Sequence, residues 1–264
     1  MRTLVIILLT VLFSCTDFIA QLDLDKEWLS SDLENITIYY RKPGATKTPS
    51  PTSSQIDTIL QQQVLYYHAI QDSLQCSFSD PVLIYLYNKD ESPDKIGTIA
   101  GGHAIPRFLS VYYTFIYDFN NIRLYTDQYG AVNPYLSAHE LAHVIAIHAL
   151  GKHGSKMMSE GYAVWLDGSY GRYDIEDIIS SYRENNPEWI LSPSRLITDI
   201  ETIESIYYPN AGMFIRFLTS RYGVTVSNKL FTEQEERLKE RFEQLTGTPW
   251  ATMENEYETY LASL

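Results

Sequence analysis

Cysteine is nearly absent from this chain: 264 residues contain only Cys15 and Cys76. That is too few for a disulfide framework, and no CxxC spacing is available for a metal or redox pair. Any bound metal must therefore rest on histidine and carboxylate. Basic charge is also scarce, with 20 Lys and Arg against 33 Asp and Glu and a net charge of −13. A phosphate backbone would be repelled, which excludes nucleic acid as a partner. No internal repeat is visible, and the hydrophobic share of 45% is enough for a real core.

The chain opens with Arg2 and an apolar run from Leu4 to Phe13, followed by Ser14 and Cys15. About ten apolar residues suit the core of a signal peptide and fall well short of a bilayer-spanning helix. Residues 1–14 are therefore expected to be a signal peptide and the protein to be exported. Leu12-Phe13-Ser14-Cys15 resembles a bacterial lipobox, which implies lipidation of Cys15, an envelope location and membrane attachment only through that anchor. The alternative is ordinary cleavage after Ala20 and free secretion.

Residues 15–264 read as a single α+β domain in two halves. In the sheet half, 33–130, strands are expected at Ile36 to Tyr40, Val82 to Tyr87, Leu109 to Tyr117 and Ile122 to Thr126. A helix capped by Ser53 or Ser54 should run to about Leu74. The helical half, 131–264, begins with Asn133 as a cap and Pro134 in the first turn, and its first helix should reach Leu150 before Gly151. Ser159 should cap a second helix to Leu166. Further helices are expected at Asp174 to Glu184, Asn210 to Tyr222, Glu233 to Leu245 and Pro249 to Leu261.

His139-Glu140-Leu141-Ala142-His143 fits H-E-x-x-H, a match that chance gives in roughly one chain of this composition in a hundred. Residues four apart on a helix differ by about 40° in azimuth, so both imidazoles can hold one ion. Glu140 projects beside them, within reach of a water on the metal. Apolar neighbours make the helix a buried one, where two imidazoles and a carboxylate are costly unless a metal pairs them. Catalytic zinc takes three protein ligands and leaves a fourth position open. Glu160, seventeen residues past His143 on the next helix, supplies the third, against the alternative that it is a first-turn acid favouring the helix dipole. His148 lies about 140° round the helix from His143 and should not join the metal. His103, His148 and His153 read as surface or hydrogen-bonded histidines, and Cys76 as a packed thiol.

AHELAHVIAIH followed by SEGYAVWL resembles the glutamate-zincin (gluzincin) metallopeptidases, in which H-E-x-x-H precedes a glutamate in an E-G-x-A context. The stretch Tyr208 to Leu218, YPNAGMFIRFL, is similar to the Y-x-x-A-G-x-F-x-x-x-L segment of the peptidase-MA-like branch. The resemblance covers about 134–166 and 205–223. It implies a zincin-like fold, Zn²⁺ held by His139, His143 and Glu160, Glu140 as general base, and Tyr208 at a helix start as donor to the oxyanion. Tyr207 is the alternative if the register is off by one, and both tyrosines could simply pack where the helix begins. The G-x-M-E-N segment with which related aminopeptidases grip an amino terminus is missing; Ala100-Gly101-Gly102-His103-Ala104 stands there and reads as a turn. The expected activity is zinc-dependent hydrolysis of a peptide or protein substrate, laid along Ser110 to Tyr117 as an edge strand. A non-catalytic binding module on the same fold and a purely structural metal site are the alternatives.

Overall fold

The computed structural model describes residues 28–47, 49–88, 102–114, 127–131, 136–171 and 173–264. Cys15 and the apolar run, the expected strand at 122–126 and the expected helix start at Asn133 lie outside them. Strands come first and helices second, giving an α+β fold with a small mixed sheet and a helical C-terminal half. Among the described residues no helix is long and apolar enough to cross a membrane.

Strands β1 (Trp28–Leu33) and β2 (Ile36–Arg41) form an antiparallel hairpin, with Glu34 at φ 50° in its turn. Helix α1 (Ser53–Leu74) then crosses to β3 (Val82–Tyr87), which pairs parallel to β2. Thr52, one residue before the expected cap, accepts from the Gln55 N–H while the Gln55 side chain accepts from the Thr52 N–H. That reciprocal capping box fixes the start of the helix. The hairpin partner β1 was not expected because its Ser-Ser-Asp centre is half polar, which an outermost strand tolerates.

Strand β4 (Gly102–Ile105) turns through Pro106–Phe108 and a left-handed Leu109 into β5 (Ser110–Thr114). The order across the sheet is β1-β2-β3-β5-β4. This corrects the expectation that 110–117 is the edge strand: β5 is paired to β3 on one side and to β4 on the other. Among the described residues the outer strands are β1 and Gly102–Ile105, the second of which the two adjacent glycines disguise as a turn. Alternating burial sends Ile36, Ile38, Ile84, Leu86, Val111 and Tyr113 into the core against the helices, while Tyr39, Tyr85 and Tyr112 stack in one cross-strand row on the opposite face.

Helix α2 (His139–Leu150) begins four residues later than Tyr135. Its N-cap, Ala138, has no side chain able to cap, and the free N–H groups are met from elsewhere: the buried carboxylate of Asp167 accepts from Ala138 N–H at 2.6 Å, and Ser137 Oγ accepts from His139 N–H at 3.4 Å. Helix α3 (Lys156–Asp167) is capped by Ser155, not Ser159. A short hairpin, β6 (Ser169–Tyr170) and β7 (Tyr173–Asp174), leads to α4 (Ile175–Asn185), α5 (Pro193–Thr198) and α6 (Glu204–Tyr222). The chain ends with α7 (Val224–Phe231), α8 (Leu238–Thr246) and α9 (Trp250–Ala262).

Helix α6 starts six residues before Asn210 because Pro209 does not stop it. Proline removes the N–H that would bond the carbonyl of Ser205, and the Tyr182 hydroxyl donates to that carbonyl instead. The buried Asn210 then ties α6 to the preceding loop, accepting from Leu191 N–H and donating to the Trp189 and Ile206 carbonyls. Helices α3 and α6 cross face to face with glycine at the contact. A Cβ on Gly161 would lie 2.7 Å from Ile215 Cγ1 and 2.9 Å from the Ala211 carbonyl, and one on Gly212 would lie 2.4 Å from Val164 Cγ1. The two glycines of the E-G-x-A and A-G-x-F stretches thus lay the Tyr208 helix against the Glu160 helix.

Candidate metal centre

His139 and His143 occupy the first and fifth positions of α2, and their rings meet edge to face with centroids 4.9 Å apart. Glu160 stands in the second turn of α3 and reaches across to both, its Oε2 lying 3.5 Å from each Nε2. With Ser155 as the cap, Glu160 is displaced from the first turn in which a dipole role would place it. The three side chains are about one-fifth exposed or less, and one donor atom from each falls within 4.8 Å of the others. Bonds of about 2.0–2.1 Å to a tetrahedral ion separate its ligand atoms by roughly 3.3 Å. The group could hold a metal ion. Ser159 Oγ, 3.4 Å from His143 Nδ1, offers the other ring nitrogen a partner.

The electrostatics favour a cation. Burial alone would lower the pKa of His139, but the hydrogen bond to Glu160 and the charges of Glu140 and Glu160 outweigh it and push the imidazole up to about 9. Burial would likewise raise Glu160, yet the two imidazoles hold its carboxyl well below the ordinary carboxylate range. A charged carboxylate facing two imidazoles in a half-closed space is what a divalent ion would neutralise.

Glu140 follows His139 on the same turn and is partly exposed. It lies against β4 where the strand has no side chain: a Cβ on Gly102 would fall 2.4 Å from Glu140 Cγ and 2.7 Å from its Oε1. Tyr208 and Tyr207 part company. The Tyr208 ring lies parallel to His139 at 6.4 Å and 14°, with Tyr170 edge-on to it at 5.9 Å. Burial, together with the charges of Glu160, Glu204 and Glu140, drives the Tyr208 phenol far above the ordinary tyrosine range. Tyr207 is fully buried and donates to the Leu196 carbonyl at 2.6 Å. Tyr207 and Tyr208 are the fourth and fifth residues of α6, at the passage from its first turn to its second.

Sequence reasoning missed several neighbours. Asp167 accepts from Ser169 Oγ as well as Ala138 N–H, and burial raises its pKa despite those bonds. Lying directly before Gly168, it reads from sequence as a helix-end acid, and only the fold brings it to the start of α2. Lys156 Nζ sits over the rings of Tyr207 and Tyr208 at 4.8 and 5.8 Å and donates to the Ile200 carbonyl. The three spare histidines stay outside the group: His103 is exposed on β4, His148 bonds the Pro106 carbonyl, and His153 packs edge-on against Phe231, where burial lowers its pKa. Cys76 is a free, partly buried thiol whose pKa burial raises.

Comparison with models of known protein families gives no match, and comparison with curated proteins gives none.

Proposed function

We propose that this chain is a zinc-dependent metallopeptidase of the glutamate-zincin kind, and that the convergence of His139, His143 and Glu160 with Tyr208 stacked on His139 carries that reading. The donor set, two imidazoles and one carboxylate, suits Zn²⁺ and leaves a coordination position open. Zinc bound there would polarise a peptide carbonyl and lower the pKa of a coordinated water. Glu140, beside the ligands but not among them, takes a proton from the attacking water and returns it to the leaving amine. Tyr208 keeps its proton at neutral pH and donates to the developing oxyanion. The outer side of β4, unpaired among the described residues, offers N–H and C=O groups to an extended peptide, replacing the earlier assignment to Ser110–Tyr117. Export with a lipidated Cys15 belongs to the same proposal.

The test is metal content measured together with turnover of a broad peptide library. Wild type should carry about one zinc per chain, and His139→Ala, His143→Ala or Glu160→Ala should lose or weaken it. Glu140→Gln should keep zinc and fold while kcat falls by a factor on the order of 10² to 10⁴. Full zinc retention in both histidine variants would overturn the ligand set. Zinc without turnover in wild type would leave a structural metal site or a binding module instead.

A further inference from the structure

The H-E-x-x-H helix and β4 with its following turn touch at two places that involve no metal ligand. At one end Gly102 backs onto Glu140, where a Cβ would overlap Cγ and crowd Oε1. At the other end His148, eight residues further along α2, has its Nε2 2.7 Å from the Pro106 carbonyl and its ring beside Phe78. A carbonyl only accepts, so His148 carries its proton on Nε2 and donates. Eight helical residues advance about 12 Å and four strand residues about 13 Å, so the separation of the two anchors on the helix matches their separation on the strand. Strand β4 and the Pro106–Phe108 turn pack along α2 between them.

We propose that Gly102 and His148 are a pair of positioning residues that seat the edge strand on α2, the first by leaving room for the Glu140 carboxylate and the second by tying down the far end of the strand. The catalytic part of this rests on the metallopeptidase reading; the packing part does not. At Gly102 the atoms an added methyl would meet are those of Glu140 itself, so the carboxylate is what must move. A reacting group misplaced by about 1 Å can cost on the order of 10²-fold in rate. Neither residue touches the metal group, so zinc content should be unchanged in every variant below.

Five variants of the full chain test it: Gly102→Ala, His148→Ala, His148→Gln, Glu140→Ala, and Gly102→Ala combined with Glu140→Ala. Gly102→Ala should keep its zinc and lose about 10²-fold in kcat with KM little changed. His148→Ala should lose roughly 10-fold, and His148→Gln, whose amide restores a donor, should recover most of it. Thermal unfolding supplies a readout that needs no activity. Gly102→Ala should lower Tm by about 2–4 °C in the wild-type background and by about 1 °C or less when Glu140 is already alanine. Undiminished kcat in Gly102→Ala, or equal Tm losses in the two backgrounds, would overturn the role of Gly102. Failure of His148→Gln to improve on His148→Ala would overturn that of His148. If wild type cleaves no peptide, the functional reading fails by itself and the Tm cycle alone decides the contact between Gly102 and Glu140.

Discussion

Glycine brings two elements together at two places in this molecule, and they differ in what would yield to a side chain. Between α3 and α6, Gly161 and Gly212 face the Ala211 carbonyl, Ile215 and the β-branched Val164, all fixed by a close-packed core. Between β4 and α2, Gly102 faces one partly exposed carboxylate. A methyl in the first place strains the fold, and in the second it displaces the Glu140 carboxylate. Tyr207 and Tyr208 repeat the contrast within one turn of helix: one commits its hydroxyl to the Leu196 carbonyl, the other stacks on His139.

The tyrosine pair should give the largest separation. Tyr208→Phe is expected to cost roughly 10² to 10³ in kcat with Tm unchanged, whereas Tyr207→Phe should leave kcat intact and lower stability by about 1–3 kcal/mol, because a buried carbonyl loses its donor. Paired kinetics and denaturant unfolding check this, and the reverse pattern would put the site on Tyr207. Next comes the helix crossing. Gly161→Ala and Gly212→Ala should each cost about 1–3 kcal/mol by overpacking and weaken zinc, since either methyl pushes against the contact that seats α3, the helix of Glu160. A Gly212→Ala protein with the wild-type unfolding midpoint would break the contrast with Gly102.

Metal affinity should follow pH in a direction the site fixes. In the metal-free protein His139 holds a proton up to about pH 9, and a ligand imidazole must give it up. The apparent Kd for zinc should therefore fall about tenfold for each unit of pH gained, from neutrality to about 9, and then level off. Without metal the sign for folding is opposite: a pKa raised from 6.5 to about 9 gives stability that is complete below 6.5 and lost as pH rises through 9. Competition titrations between pH 7 and 9 showing constant affinity would refute the coupling of a raised His139 proton to metal binding. The smallest effect is expected at Tyr182→Phe, about 1 kcal/mol measured by chemical unfolding. It leaves the Ser205 carbonyl, freed by Pro209, without its hydroxyl donor.

The histidine pair was legible because helical spacing is local: a period of 3.6 residues puts His139 and His143 on one face whatever surrounds them, whereas the glutamate seventeen residues on and the tyrosine before A-G-x-F were legible only through the resemblance of their surrounding stretches to the glutamate-zincins. Helix ends and strand neighbours were less so. Pro134 and Asn133 look like a start, yet the described helix begins at His139. Ser159 looks like a cap, yet Ser155 is used. Pro209 looks like a boundary, yet a hydroxyl from another helix answers the missing hydrogen bond. At His139 and at Pro209 a residue distant in sequence decides the outcome by satisfying backbone groups, Asp167 in one case and Tyr182 in the other.

The sequence by itself determined the α+β order, the buried character of the H-E-x-x-H helix and the chemical types available to a metal, all of which follow from composition and short-range periodicity. Tertiary structure alone decided that Gly102–Ile105 lies outside β5 among the described strands, that Asp167 meets the start of α2, and that Tyr208 faces His139 while Tyr207 faces the core. The physical reason is the same in all three. Hydrogen bonding across a sheet, capping from a remote carboxylate and the choice of face at a close helix crossing are settled by which elements pack together, and that depends on the whole chain rather than on any window of it.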